Sequence, residues 1–284
     1  MPVRIQLPPH MVDHARAFAD GRREPAEPRN AATVVLLRPG REGPEVYLLR
    51  RQTSMAFASG MCVFPGGGVD PRDFDHAVAW TGPAPREWAD RLGTDEATAR
   101  ALVCAAVRET FEESGVLLAG KSADTVVADT TGEDWERDRA ALEARELAFT
   151  EFLDRRGLVL RTDLLGVWDA WLTPVFEPRR FRTWFFVADL PEGQLTRDVS
   201  TESDQVTWLP ALQAVDEVDN DRLMMMPPTY LTCLEVGQYA GPADVIDAAS
   251  DRRVEMFTPQ VEEMEQGATL SVPSRFDVLL ASRS

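Results

Sequence analysis

The chain has 284 residues, of which 44% are hydrophobic and 27% charged. That apolar content supports one or two folded domains and excludes wholesale disorder. With 30 basic against 47 acidic residues the net charge is −17. This excludes a broad footprint on a nucleic acid polymer, because phosphate neutralisation needs a basic face.

Residues 1–30 are polar, contain five prolines and read as an N-terminal extension. Within it, 10–19 forms a short helix that ends at Gly21, and 22–29 reads as a linker. Residues 32–37 give the first strand signal. Turn-rich 38–44 follows, and 45–51 reads as the partner strand, so a β-hairpin is expected. A further apolar run at 61–64 is broken by Pro65 and three glycines. Residues 70–93 look irregular, interrupted by Pro71, Gly82, Pro83 and Pro85. From 94 to 113 the chain turns Ala-rich. Leu102, Val103, Ala106, Val107 and Phe111 recur at helical spacing, and Gly115 stands where a left-handed cap belongs. Residues 132–157 read as a charged amphipathic helix or helix pair with Trp135, Leu142, Leu147, Phe149 and Phe152 inward. Strands are expected at 164–171, 182–188 and 205–209, and helices at 210–218 and 229–236. The last forty residues are weakly patterned and are expected to cover the core. This order suggests an α/β or α+β domain with additions.

Cys62, Cys104 and Cys233 are odd in number, far apart and form no CxxC pair. Reduced, partly buried thiols in a cytoplasmic protein are the expectation. No apolar run approaches the ~18 residues of a membrane span. The N-terminus lacks the apolar core of a secretory signal, and the C-terminal ASRS is not of the SKL type. No membrane partner is expected.

The strongest chemical signal is Arg108-Glu109-Thr110-Phe111-Glu112-Glu113-Ser114-Gly115-Val116. A helical residue advances about 100°. With Glu109 at zero, Glu112 lies at about −60° and Glu113 at about +40°. The three carboxylates share one face, repel one another, and occupy the last turn, where the helix dipole disfavours anions. A hard divalent cation would offset that, and oxygen-only ligands suit Mg²⁺ or Mn²⁺ rather than zinc. A solvated acidic face is the alternative. A second signal is Gly60-x3-Phe64-Pro65-Gly66-Gly67-Gly68, whose glycines let backbone approach a phosphate or a metal-bound oxygen. A tight turn after a strand is its alternative. His10 and His14 have i,i+4 spacing but no third ligand, so no metal site is expected there.

Together the two signals resemble the Nudix hydrolase box, G-x5-E-x7-R-E-U-x-E-E-x-G-U with U bulky and apolar. Arg108, Glu109, Glu112, Glu113, Gly115 and Val116 match its second half, and FPGGG matches its usual lead-in. Thr110 departs from the apolar U. Gly67 and Arg108 are 41 positions apart where the pattern has 14, so about 27 residues are inserted, expected at about 70–94. Counted back from Arg108, the first Glu falls on Arg100, with Glu96 one turn earlier as a partial substitute. The long insertion resembles the subgroup of the peroxisomal coenzyme A diphosphatase and its bacterial relatives. EVYLLRRQ (45–52), AFASGMCVFPGGGVD (56–70), Trp171-Leu172-Thr173-Pro174 and Pro178-Arg179-Arg180-Phe181 carry that likeness. Arg182 stands where the subgroup tends to place an acid. Of the coenzyme A signature LLTxR[SA]x3Rx3Gx3FPGG, Arg51 and the Gly60 segment are present, but Ala56 replaces the second arginine.

The resemblance implies a Nudix fold, an α/β/α sandwich with a mixed sheet, over 31–236, with 237–284 as a helical C-terminal extension packed on it. It implies hydrolysis of a nucleoside diphosphate derivative, with Mg²⁺ (or Mn²⁺) on Glu109, Glu112, Glu113 and the Gly67 carbonyl. Gly66 and Gly67 would shape the site, and Arg108 would orient a carboxylate. Glu202, with Asp204 beside it, precedes the last core strand, where a general base is expected. Arg51, Arg179 and Arg180 are candidate phosphate ligands. Trp168, Trp171 and Phe176 are candidates for stacking on adenine, with core packing as the alternative. Met224, Met225 and Met226 could line a flexible arm or simply fill core gaps. Coenzyme A or an acyl-coenzyme A is the implied substrate. ADP-ribose, NADH and nucleoside triphosphates are alternatives, and a nucleotide-binding regulator with little turnover is another. Homodimers are frequent in the family, which makes one possible here.

Overall fold

The computed structural model describes residues 6–7, 9–52, 58–75, 78–264 and 267–283. β1 (Gln6–Leu7) and α1 (Pro9–Ala19) precede the hairpin β2 (Arg29–Gly40) and β3 (Gly43–Arg51). Its strands run further into the 38–44 segment than expected, leaving Arg41 and Glu42 as the turn, with Gly40 opposite Gly43. Two short strands follow, β4 (Cys62–Val63) and β5 (Gly66–Gly68), then β6 (Trp80–Thr81), α2 (Pro85–Leu92) and α3 (Glu96–Ser114). Next come β7 (Ala119–Gly120), α4 (Glu133–Glu143), α5 (Phe149–Arg156), β8 (Val159–Arg161), β9 (Gly166–Leu172), β10 (Phe181–Asp189) and β11 (Ser203–Pro210). The chain closes with α6 (Ala211–Asp219), α7 (Pro227–Val236), α8 (Pro242–Ala249), β12 (Val261–Met264), β13 (Gly267–Leu270) and α9 (Asp277–Ala281).

The central sheet runs β11-β3-β2-β10-β9, with β4 added to β3 and β5 to β2. β2 and β10 are parallel and the other ladders antiparallel. The sheet is mixed, and the period-two pattern of its strands sets its two faces. Ala32, Val34 and Leu36 enter one core with residues of α2 to α5, while Val35 and Leu37 enter the other with residues of α6 to α9. This is the expected α/β/α sandwich. One edge of β2 is shared: residues 37–40 pair with β3, and 31–33 with β5. The split places the triple-glycine strand beside the end of α3 and opens the site.

The described residues of 70–93 are more regular than their sequence suggests. Pro85 occupies the first turn of α2, Gly93 caps it at φ +65°, and Gly82 turns at φ +94°. The breakers are therefore caps and turns. Trp88 is fully buried against Phe186, and β6 pairs with β8. Arg100, on which the box's first acid falls when counted back from Arg108, donates to the Val78 carbonyl at 2.7 Å and lies over Trp80. It fastens this segment to α3. Arg182 similarly holds Glu27 and the Pro28 carbonyl, tying the start of β10 to the chain ahead of β2.

The C-terminal residues wrap the second face. Phe257 bridges to Trp171, and Arg275 pairs with the buried Asp169 of β9. β13 lies between β1 and β12, so the two ends of the chain meet in one small sheet. Among the described residues no helix is long and apolar enough to cross a membrane.

Candidate active site

α3 begins with Asp95, whose carboxylate accepts the Thr98 N–H, and ends at Gly115 at φ +75°. Its middle packs on the sheet through small and branched side chains, which carries its last turn to the edge of β5. Thr110 fits a buried position because its hydroxyl donates to the Ala106 carbonyl at 2.8 Å. The last turn faces a cleft of about 620 Å³. Arg108, Glu109, Glu112, Glu113, Gly66, Gly67, Arg51, Arg179, Trp171 and Glu202 all line it. Glu112 and Glu113 are buried, so this is not a solvated acidic face.

Glu113 Oε2 accepts the Gly66 N–H at 2.7 Å. A Cβ at Gly67 would lie 2.5 Å from Glu109 Oε1, so any larger residue there would displace that carboxylate from its place. Arg108 Nη1 donates to Glu109 Oε1 at 2.8 Å and to both Glu112 oxygens at 3.3 Å. Burial raises all three carboxyl pKa values. Arg108 opposes the rise at Glu109 and Glu112; the charge of Glu109 adds to it at Glu112 and Glu113. Glu112 is pushed up to about 7. Arg108 does not by itself balance Glu109 and the buried Glu112 and Glu113, even with Arg51 acting on Glu113, and a cation placed here would relieve their repulsion.

Asp73 was not legible as a site residue when the pattern is counted back from Arg108. Counted forward from Gly67 it stands at the pattern's first acidic position, as Asp instead of Glu. It is buried and takes Arg108 Nε at 3.1 Å and Nη2 at 3.0 Å on its two oxygens. A capping box with Asp70 holds the turn that carries it. On that count the extra residues would begin after Asp73 rather than at Asp70. Glu96 lies in the first turn of α3, 13 residues from Glu109, or about 20 Å along the axis. It does not take the place of the box's first acid.

Glu202 meets Arg51 at 3.3 Å across the cleft from α3, and its charge is felt at Glu109 and Glu113. Asp204 instead faces Arg50 at 3.8 Å. Arg180 is a correction: it is buried away from the cleft, donating to the Thr173 and Ala26 carbonyls. It braces the loop that presents Arg179. Two unanticipated arginines, Arg72 and Arg145, line the cleft instead. Among the described residues Arg145 and Arg179 have no carboxylate partner.

Trp171 lines the cleft but is 3% exposed and donates its indole N–H to Asp169. Trp168 and Phe176 are buried outside it. Met226 lines the cleft, Met225 is in the core, and Met224 is exposed. Cys62, Cys104 and Cys233 are free and buried. His14 contacts Arg23, and the His10 side chain and Ala56 lie outside the described residues.

The donor set fits a hard divalent cation, being three carboxylates beside backbone that approaches closely. Among the described residues no three such ligands yet converge on one point, because Arg108 stands between Glu109 and Glu112.

A family model described as the NUDT19 Nudix domain matches residues 84–236. An acyl-coenzyme A diphosphatase NUDT19 of Gallus gallus is 26% identical over 281 residues, covering 80% of this chain and 72% of the relative. Nudix hydrolase 7 of Caenorhabditis elegans is 28% identical over 215 residues, or 74% of this chain, and the match spans 61% of that relative's length. The crystal structure of a Nudix hydrolase from Alicyclobacillus acidocaldarius superposes with a TM-score of 0.66 at 26% identity, covering 78% of this chain and 96% of that one. The matched segment contains the acidic turn of α3 and the cleft-lining strands β9 and β10, and on these grounds the chain belongs to the Nudix hydrolase family.

Proposed function

We propose that the protein hydrolyses a diphosphate linkage in coenzyme A or an acyl-coenzyme A, giving 3′,5′-ADP and a 4′-phosphopantetheine derivative. The observation that carries the reading is the cleft itself. At one end the buried carboxylates of α3 face Arg51 and Glu202. The rest of the wall mixes the apolar Phe181, Phe185, Met226, Pro259 and Leu270 with the arginines Arg72, Arg145 and Arg179. A ligand that carries several phosphates and a long, partly apolar arm matches that lining. The acyl-coenzyme A diphosphatases among the relatives support it.

Glu109, Glu112 and Glu113 would hold Mg²⁺ (or Mn²⁺), with the Gly67 carbonyl as a further ligand. When bound, such an ion screens phosphoryl charge and lowers the pKa of an attacking water. Glu202 accepts the proton of that water as its oxygen forms a bond to phosphorus and the bridging oxygen departs with the other phosphate. Arg51 turns Glu202 toward the cleft, and Arg179 meets substrate phosphate. Asp73 takes the Nε and Nη2 of Arg108, so that only Nη1 would contest Glu109 and Glu112 with an ion.

The test is incubation of the protein and Mg²⁺ with coenzyme A, acetyl-coenzyme A, ADP-ribose, NADH, dinucleoside polyphosphates and nucleoside triphosphates, read by mass spectrometry. Release of 3′,5′-ADP from the coenzyme A compounds is expected. Cleavage of another compound in their place would keep the chemistry and overturn the substrate. Nucleotide binding without turnover would overturn the hydrolase reading in favour of a regulator.

A further inference from the structure

We propose that Glu143, on α4 and outside the box, is a positioning residue that sets the loop carrying Glu202 against the acidic end of α3. The proposal rests on Glu202 acting in the reaction. Glu143 Oε1 accepts both the Thr201 N–H at 2.9 Å and the Thr201 hydroxyl at 2.6 Å. Its other oxygen, Oε2, accepts from Arg139 Nη1 at 3.0 Å. The same Nη1 donates to the Glu112 main-chain carbonyl at 2.7 Å. Arg139 is 4% exposed and is fixed from behind by Glu136, which takes its Nε and Nη2. A continuous chain of bonds thus runs from the last turn of α3, through Arg139 and Glu143, to the residue before Glu202.

The loop is otherwise held on its far side. Gln52 donates its main-chain N–H to the Glu202 carbonyl at 3.0 Å and its side-chain amide to the Thr201 carbonyl at 2.8 Å. Those bonds tie the loop to the end of β3, not to α3. Glu143 therefore spans the cleft where the gap between the metal carboxylates and the base must be fixed. A shift of about 1 Å in such a group lowers turnover about 10²-fold with little effect on binding.

Steady-state hydrolysis of coenzyme A with Mg²⁺ tests this, with ADP-ribose as the probe if that is what the wild-type protein cleaves. Glu202→Gln should lower kcat by about 10²-fold or more. Glu143→Ala should lower it about 10- to 100-fold with KM changed less than about threefold. In the Glu202→Gln background Glu143→Ala should then change kcat less than about twofold, because a residue acting through Glu202 has nothing left to act on. Glu143→Gln, which keeps an acceptor for Thr201, should recover most of the lost rate. Thr201→Val, on the loop surface, removes one of the two bonds without touching a core. It should lower kcat about threefold with the same non-additivity, even if Glu143→Ala fails to fold. Full loss from Glu143→Ala or Thr201→Val in the Glu202→Gln background would overturn the proposal and leave the role of Glu202 intact. Unchanged kcat in Glu202→Gln would remove that role and the proposal with it.

Discussion

Helix α3 changes character halfway along. Ala99–Val107 are all buried and, Arg100 apart, carry apolar or thiol side chains. From Thr110 to Ser114 the helix is equally buried, yet only Phe111 is apolar. The first half stabilises the fold by removing side chains such as Leu102 and Val103 from water, about 1.5–3 kcal/mol for each large one. The second half buries carboxylates whose pKa values are raised, so ionising them works against folding. Equal burial thus has opposite meanings, and the satisfaction of each polar atom tells them apart.

The largest effect expected from this contrast is at Glu113. Glu113→Gln removes one charge and keeps the shape, and turnover should fall about 10³-fold as several kcal/mol of transition-state stabilisation is lost. The melting temperature should hold or rise, since the ionised group is the strained one. A variant that loses both activity and stability would mean that the two halves play one structural role.

Leu102→Ala should do the reverse. It opens a cavity between α3 and the sheet and should cost about 2–5 kcal/mol, read by denaturant titration. The kcat of the folded enzyme should stay within about twofold of wild type. A smaller effect is expected at Asp73, which belongs to neither half but holds Arg108 at their junction. Asp73→Asn lets Arg108 pair more closely with Glu109 and Glu112, so the Mg²⁺ concentration for half-maximal rate should rise about tenfold. An unchanged Mg²⁺ requirement would show that Arg108 does not compete with the ion.

Much of this was legible from residues alone. The hairpin, the helix at 94–113 and its Gly115 cap follow from periodicity and cap chemistry, which are local. The three glutamates follow from helical geometry. What was hidden is set by distant partners. Asp73 is invisible when the pattern is counted from the wrong end, because the extra residues separate it from Arg108 by 35 positions. Arg179 and Arg180 are neighbours with the same chemistry, and only the fold turns one into the cleft and the other onto the Ala26 carbonyl. Arg145 and Glu143 reach the cleft from segments without any motif, and Arg72 does so from a position that the box leaves unspecified. Residues 70–93 looked irregular because short elements need capping residues at close intervals, and those are the same prolines and glycines that mark loops.

The smallest expected effect is a pH-dependent shift in stability that only the polar half of α3 should show. Glu112 titrates at about 7 in the folded protein, above the ordinary value of 4.5, because burial and Glu109 oppose its charge. A raised carboxyl pKa means that the folded state binds the proton more tightly than the unfolded chain. Its contribution to stability is complete below the ordinary value and is lost as pH rises through about 7. The cation-free protein should therefore lose melting temperature between about pH 5 and 8. Mg²⁺ binds the ionised carboxylates and must displace protons to do so. At millimolar Mg²⁺ the gain in melting temperature should be under about 1 °C at pH 5.5 and about 3–6 °C at pH 8. Leu102→Ala should keep that gain from a lower starting point, and Glu113→Gln should lose most of it. Equal gains at both pH values, or a gain that survives in Glu113→Gln, would place the ion somewhere other than on the end of α3.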